Sequence, residues 1–380
     1  MGKLQSLFAS NGARLFQNDS FCLDHYYQEP YQDADESMGF IDALKKEVYE
    51  TSPSQKFKTL LDFPSLDSSL FSYFMDGSRK TYKVGDLVMP DKKVFPLIAA
   101  QLRAGCVSRQ DNKEVHVAKI KAHELIKERN LLLLSNAYNS TDYSVLRNKF
   151  AKRNQEKNHF PIELETYDCS KVKEITPQNA GIAKANYLMH KLEIEIIIDL
   201  VKSNSLNTNK LLVVDGPLEF IAHDDRSDGF GDYFYNVIGI SKSFDPNKPV
   251  QSVRNSPHIG AMLLEMRMGE RTQVFMVDKK FRRYGVWYLR IRPSSQMRNP
   301  LDGIVKIEKM AMKEDFDHGL DTDVVDNISS SVLAERCPTC HGNDDRWPNH
   351  IYPVYLAEKY IKSTFYSDIM YMNQFFRDDF

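Results

Sequence analysis

The sequence lacks the features that would direct the protein to a membrane or out of the cell. No stretch of its 380 residues approaches the roughly eighteen consecutive apolar residues of a membrane-spanning helix, and its first residues do not form a signal peptide. The five cysteines are too few and too scattered for a disulfide scaffold. These absences predict a cytoplasmic protein with reduced thiols and no membrane partner.

The sequence also lacks internal repeats and the glycine-rich loop that binds nucleotide phosphates, which disfavours a sugar-kinase-like ATPase. Its net charge of -2 does not by itself indicate a nucleic-acid partner. The charges are unevenly distributed, however, because residues 79–157 contain 17 Lys and Arg against 8 Asp and Glu. Such a local excess is typical either of a phosphate-binding surface or of a solvated helical face.

Apolar residues make up 42% of the chain, enough to fill a core. Short apolar runs alternate with helical patterns, which predicts an α/β protein with a mixed sheet flanked by helices. Helical spacing at residues 38–49 predicts an N-terminal helical arm over residues 1–70. Similar spacing between residues 96 and 134 predicts a basic helical insertion at about residues 90–180, within a main domain formed by residues 71–380.

Two aspartates follow strand-like apolar runs and are each followed by glycine. Asp76 follows residues 71–75, and Asp215 follows residues 211–214. Such a strand end places a carboxylate at the rim of a sheet, where glycine leaves room for a ligand. Carboxylate oxygens are ligands that Mg²⁺ or Mn²⁺ prefers, and such ions activate water for phosphodiester hydrolysis. The pair therefore predicts the metal site of a nuclease, although Asp-Gly is also a common turn dipeptide.

Two further side chains are candidates for the same site. In the helix predicted at residues 181–202, Glu195 and Asp199 lie one turn apart, and at least one of them is expected near the core, where an unpaired carboxylate is costly without a cation. The alternative is that both acids reach water at the edge of the apolar stripe. Lys242 ends another apolar run and is predicted to bind the scissile phosphate or to position water, unless it is a solvated lysine.

Five short motifs in this chain resemble the NurA nuclease family in their order and approximate spacing, from about residue 70 to the C-terminus. They are FMDGSR at residues 74–79, LLVVDGPLEF at 211–220, VIGISKS at 237–243, GIVKIE at 303–308 and YPVYLAEKY at 352–360.

The resemblance implies an RNase H-like core similar to the PIWI domain and Mn²⁺- or Mg²⁺-dependent cleavage of DNA as exonuclease and endonuclease. It also implies a homodimer and a partnership with a HerA-type hexameric DNA translocase. The family acts in DNA end resection and in defence against phage, and the motifs do not choose between these roles. The alternative function is a catalytically silent DNA-binding adaptor of the same fold on a translocase ring.

The resemblance also implies roles for individual residues. The metal-binding positions of the family fall on Asp76, Asp215 and the helix residue Glu195, with Glu193 as the rival register. The lysine that follows the Gly-Ile-Ser strand of the family falls on Lys242.

The C-terminal motif departs from the family at one position. Ala357-Glu358 stands where the family commonly has Ala-His. Glu358 is then a candidate catalytic residue, and His350 in the preceding loop is the alternative. The same departure is what keeps the adaptor function open.

Two other motifs have both a functional and a structural interpretation. Cys337, Cys340 and His341 have the spacing of half a zinc site, which would need His350 or an acid to be completed, or they form a reduced loop. Residues 279–292 interleave six basic residues with four aromatics, a pattern that contacts phosphates and bases or forms a hairpin with an aromatic core.

Overall fold

The computed structural model contains no helix, within the residues it describes, that is long and apolar enough to cross a membrane. It describes residues 3–10, 12–23, 45–53, 56–60, 69–110, 114–120, 123–138, 140–155, 160–169, 176–218, 231–247, 258–279, 282–336 and 347–376.

The described residues form strands and helices in alternation. The α-helices are α1 (Lys3–Ala9), α2 (Ser140–Arg153), α3 (Pro177–Lys202), α4 (Ile259–Leu263), α5 (Thr322–Glu335), α6 (Tyr352–Ser363) and α7 (Asp368–Phe376). The strands are β1 (Arg14–Cys22), β2 (Lys45–Val48), β3 (Phe57–Thr59), β4 (Phe71–Val88), β5 (Val94–Gln110), β6 (Glu114–Val117), β7 (Lys119–Ile120), β8 (His123–Glu124), β9 (Ile126–Ser135), β10 (Glu163–Tyr167), β11 (Leu211–Asp215), β12 (Val237–Ser241), β13 (Glu270–Thr272), β14 (Phe275–Lys279), β15 (Arg282–Arg290) and β16 (Ile304–Met310).

One mixed sheet contains every one of these strands except the small pair β7 and β8. Its main path runs β10-β9-β5-β4-β11-β12-β16-β15-β13-β3, and β1, β6, β14 and β2 pair alongside it. On this path β5 is antiparallel to both of its neighbours, β9 and β4, whereas β11 is parallel to both of its neighbours, β4 and β12. The protein is therefore an α/β protein with a large mixed sheet flanked by helices, as the alternation in the sequence predicts.

The helices cover opposite faces of this sheet. On β11, Leu212 and Val214 belong to the hydrophobic cluster that includes the apolar side of α3, whereas Leu211 and Val213 belong to the cluster that includes α5 and α6. Successive side chains of a strand point to opposite faces, so α3 lies on one face and α5 and α6 lie on the other. The site described below lies at the end of β11, on the face that α6 covers.

The long helix predicted at residues 181–202 is confirmed, although it begins four residues earlier. The side chain of Thr176 accepts a hydrogen bond from the backbone N–H of Asn179 and caps the first turn, and Pro177 occupies the first helical position. These start signals place the N-terminus before the apolar stripe begins.

The helical insertion predicted at about residues 90–180 is wrong in its secondary structure. Its first part forms β5 and β9, central strands of the sheet, and only Ser140–Arg153 and the start of α3 are helical among its described residues. Leu97 and Ala99 pack into one hydrophobic cluster, and Ile98 and Ala100 pack into another. A strand buried on both faces has no period of two, so its apolar run does not distinguish it from a helix.

The basic excess of residues 79–157 accordingly does not lie on one helical face. Several of its members pair with acids elsewhere in the fold. Lys127 lies 2.7 Å from Asp199, and Arg129 lies 2.6 Å from Glu163. These ion pairs neutralise part of the positive charge that the sequence analysis considered for a phosphate-binding surface.

The helical arm predicted over residues 1–70 is also wrong in its described part beyond α1. Strand β1 pairs with the second half of β4, β2 with β14, and β3 with β13. Most of the predicted helix at residues 38–49 lies outside the described residues, and its last part is β2. Pairing with strands far away in the sequence overrides the local helical pattern here.

Candidate metal centre

Asp76 and Asp215 are neighbours on adjacent parallel strands. The backbone register pairs Val214 of β11 with Met75 of β4, so the two aspartates follow side by side and point to the same face of the sheet. Asp215 is the last residue of β11, as the sequence predicts.

The prediction that Asp76 ends its strand is wrong, because β4 continues to Val88. The first part of β4, up to Met75, pairs with β11, and its last part, from Tyr82, pairs with β1. Between these two parts, β4 pairs with β5 alone among the described strands. Asp76 therefore stands at an open rim of the sheet even though its own strand continues, since it is the neighbouring strand that stops.

The helix α6 brings a third carboxylate, that of Glu358, to this rim. One carboxylate oxygen from each of Asp76, Asp215 and Glu358 lies within 4.8 Å of the others. The helix can approach closely because Gly105, the partner of Asp76 on β5, has no side chain. A Cβ atom there would lie 2.9 Å from Cγ1 of Ile361, one turn after Glu358.

Lys242 supplies a buried positive charge to the same cluster. Its Nζ donates a hydrogen bond to Oδ2 of Asp215 at 2.7 Å and lies 4.0 Å from Oε2 of Glu358. Only 7% of its side chain is exposed, so the alternative of a solvated strand-end lysine does not hold. This ammonium group offsets part of the repulsion between the carboxylates.

Electrostatics at the rim disfavour charge on Asp76. Burial, followed by the charge of Asp215, raises the pKa of Asp76 well above its ordinary value of 3.8, and Lys242 offsets this only in part. Glu193 and Glu358 raise it further.

For Glu358 the balance is the reverse. Burial opposes its ionisation, but the hydrogen bond and the charge of Lys362, together with the charges of Lys242 and His350, lower the pKa of Glu358. Lys362 donates to Oε1 of Glu358 at 2.5 Å, one turn along α6. Glu358 is thus held ionised at a site where Asp76 resists ionisation.

Of the two glutamates considered on α3, Glu193 and not the predicted Glu195 lies near Asp76, although outside the group of three clustered carboxylates. Glu193 is 2% exposed, and its carboxylate fills the space over Gly77, where a Cβ atom would lie 2.6 Å from Oε1 of Glu193. Glu195 is exposed, because two residues along a helix turn the side chain by about 200°. Asp199, also expected near the core, is half-buried and pairs with a lysine instead.

The sequence contained a signal that favours Glu193. It lies four residues after Met189 and four before Ile197, and both of these apolar residues are buried. A carboxylate at that spacing shares their face of the helix. Sequence reasoning also missed His190, a half-buried residue one turn earlier on the helix, whose Nδ1 lies 2.6 Å from Oε2 of Glu193.

His350, the alternative to Glu358, is buried nearby. It is close enough for its charge to lower the pKa of Glu358, but it does not belong to the group of three clustered carboxylates. Cys337, Cys340 and His341, the predicted half zinc site, lie outside the described residues.

The aromatics of the β14–β15 hairpin that the structure describes belong to the core. Tyr284, Trp287 and Tyr288 are each at most 3% exposed, and Nε1 of Trp287 donates a hydrogen bond to Oγ of Ser329 at 2.9 Å. The structural interpretation of this basic and aromatic segment is therefore correct for these three rings, which are not available to stack on bases.

What the fold and the site define is an α/β protein with three clustered carboxylates and one buried lysine at the rim of a mixed sheet. No protein-family model matches the chain, and no curated protein matches it. The membership in the NurA family that the five motifs suggest stays a prediction.

Proposed function

We propose that this protein is a divalent-metal-dependent DNA nuclease. The observation that carries the proposal is the cluster of Asp76, Asp215 and Glu358, whose carboxylate oxygens lie within 4.8 Å of one another. Oxygens at this separation can share one cation or an adjacent pair of cations. The site stands at the end of β11, where an extended substrate can approach the rim of the sheet.

The donor set fits Mn²⁺ or Mg²⁺. All three clustered groups are hard oxygen donors, and Glu193 lies close enough for its charge to raise the pKa of Asp76. Several buried carboxylates with one lysine among them are costly without a further cation, as the raised pKa of Asp76 indicates. A bound ion would supply activation of water and neutralisation of the charge that develops on the phosphate.

The chain's own residues supply the rest of the chemistry. Asp76, Asp215 and Glu358 would hold the ion, and Lys242 presents a fixed ammonium group at the same rim. A lysine in this position can bind a phosphate oxygen of the substrate as a point charge. Its burial and its ion pair with Asp215 limit the positions that this charge can take.

The order of the strands supports an RNase H-like core. Three successive antiparallel neighbours, β9-β5-β4, are followed in sequence by α2 and β10, then by α3, and then by β11 and β12, which extend the sheet from β4 in parallel. We infer from this order and from the five motifs that the protein resembles NurA nucleases in its partners as well. These are DNA, a second copy of the chain and a HerA-type hexameric translocase, with a role in DNA end processing or in defence against phage.

The proposal is tested by incubating the purified protein with linear DNA and Mn²⁺, with and without EDTA. Asp215→Asn removes one carboxylate of the cluster, and Asp302→Asn is the matched control, because Asp302 is also followed by glycine but lies in a turn. We expect cleavage by the unmodified protein and by Asp302→Asn, and none with EDTA or with Asp215→Asn.

Cleavage that persists in Asp215→Asn would remove this site from the reaction. Binding of DNA without cleavage in any sample, whatever the metal, would favour the catalytically silent adaptor. The position of Glu358 within the cluster argues against the adaptor, since the residue that departs from the family motif still contributes a carboxylate.

A further inference from the structure

We propose that Asn349 is a positioning residue, which holds Lys242 in place between Asp215 and Glu358. The proposal rests on the proposed function, because it assigns a role to Lys242 at the metal centre. Asn349 is 8% exposed and ends a short 3₁₀ helix, Trp347–Asn349, three residues before α6 begins.

The side chain of Asn349 joins two distant backbone groups. Its Nδ2 donates a hydrogen bond to the carbonyl oxygen of Lys242 at 2.8 Å, and its Oδ1 accepts one from the backbone N–H of Gly303 at 2.6 Å. Because the carbonyl can only accept and the N–H can only donate, the orientation of the amide is fixed by its partners. Among neutral side chains of this length, only an amide can satisfy both groups.

Lys242 needs such support because it lies beyond the end of its strand. Strand β12 ends at Ser241, and the residues that follow are irregular as far as they are described. The backbone of Lys242 is thus the point where β12 leaves the sheet, and a hydrogen bond to its carbonyl limits how the chain can swing. A shift of that backbone would move Nζ away from Asp215 and Glu358.

The other partner of Asn349, Gly303, lies in a turn whose conformation and surroundings exclude a side chain. Gly303 has a φ of +76°, in the left-handed region, and a Cβ atom there would lie 2.7 Å from Cβ of Arg292. Its carbonyl accepts a hydrogen bond from the N–H of Ile291 at 2.7 Å. Through the side chain of Asn349, the backbone of Lys242 is therefore tied by hydrogen bonds to this turn between β15 and β16.

Asn349 also lies on the segment that leads into α6, the helix of Glu358. One amide thereby links the backbone that carries the lysine of the site to the segment that carries one of its carboxylates. If this link is loosened, the ammonium group should spend less time beside the carboxylates. Because it competes with a cation for them, its departure should strengthen metal binding while cleavage becomes slower.

The test measures Mn²⁺ affinity by isothermal titration calorimetry and DNA cleavage in parallel. The reference is Lys242→Met, which we expect to raise Mn²⁺ affinity about tenfold, as loss of one nearby positive charge allows. For Asn349→Leu, neutral and of similar size, we expect a rise of about threefold and cleavage about tenfold slower. Asn349→Ser carries the same expectation if Asn349→Leu does not fold.

Arg292→Met is the matched control for a purely structural role. Nε of Arg292 donates to the carbonyl oxygen of Pro348 at 3.4 Å, and its guanidinium lies 4.8 Å from the ring centre of Trp347. This variant loosens the same segment without removing the bond to Lys242. We expect it to lower the unfolding temperature while Mn²⁺ affinity stays within about twofold of the unmodified protein.

Opposite outcomes separate the two proposals. Unchanged or weaker Mn²⁺ binding by Asn349→Leu, beside stronger binding by Lys242→Met, would overturn the positioning role. If the Mn²⁺ affinities change as expected but no DNA is cleaved, the positioning role stands and the nuclease function fails. If neither Asn349→Leu nor Lys242→Met alters Mn²⁺ binding, Asn349 does not act on a metal site through Lys242.

Discussion

Replacing Asp76 with asparagine should abolish DNA cleavage and, in the metal-free protein, raise the midpoint of thermal unfolding. The loss of activity should be on the order of 10³-fold or more, since a ligand of the proposed ion is removed. The gain in stability follows from the site itself, because burial and the charge of Asp215 make the ionised form of Asp76 unfavourable in the folded protein.

The pH dependence of this gain has a defined sign. The pKa of Asp76 is higher in the folded protein than its ordinary value of 3.8, so the folded state binds the proton more tightly than the unfolded state does. The contribution of Asp76 to stability is therefore best at low pH, and it is lost as the pH rises from about 3.8 through the folded-state pKa. Asparagine cannot ionise, so the difference between the two proteins should widen over this range and then level off.

Thermal unfolding in EDTA at a series of pH values measures this difference. Addition of Mn²⁺ should reverse the order, because an ion that binds only the folded state stabilises the unmodified protein and not the variant. Asp302→Asn serves as the control and should show neither effect. A metal-free Asp76→Asn protein that is less stable than the unmodified protein at neutral pH would show that Asp76 is a structural aspartate.

The second large effect is expected to distinguish two glutamates on the same helix. Glu193→Gln should reduce cleavage by about 10²-fold, whereas Glu195→Gln should change it by no more than about twofold. Glu193 is buried against Gly77 beside Asp76, and Glu195 is exposed. Glutamine preserves the length of either side chain, so the pair compares the loss of one charge at two positions that are two residues apart.

Single-turnover cleavage over a range of Mn²⁺ concentrations measures both variants. If Glu193 contributes to binding the ion, part of the loss should be recovered at high Mn²⁺ concentration. If its charge acts only in the reaction, no concentration of metal should recover it. The opposite result, with Glu195→Gln inactive and Glu193→Gln active, would support the register that the sequence alone favoured.

Much of the C-terminal half of the fold was predictable from local patterns. The long helix α3 and the strand that ends at Asp215 lie where the sequence predicts them within a few residues, and the β14–β15 hairpin agrees with one of the two interpretations of residues 279–292. In each of them the apolar spacing, the end signals or both agree with the final environment. The failures were β5 and β9, buried on both faces, and the N-terminal strands, whose partners lie far along the chain.

Some residues of the candidate site were likewise predictable from the sequence, and others were not. The sequence predicts that Asp76 and Asp215 belong to one site because each follows a similar apolar run. It predicts Lys242 as a further member because that residue ends a third apolar run. The choice between Glu193 and Glu195 depends on how α3 is rotated about its axis against the sheet. The apolar stripe in the sequence is incomplete and does not determine this rotation. Glu358 was a candidate from the C-terminal motif, but its place beside the two aspartates depends on the close approach of α6 over Gly105.

The sequence by itself determined that α3 is a helix, that β11 ends at Asp215 and which acidic residues interrupt these apolar segments, because there the local periodicity and turn chemistry agree with the final burial. Only the tertiary structure decided which of these acids face one another and what holds them there. The 4.8 Å cluster depends on the register between β4 and β11 and on the end of β11 at a point where β4 continues. It also depends on the packing of α6. The link from Asn349 to Lys242 is likewise a hydrogen bond between residues 107 positions apart, and local pattern carries no record of such a contact.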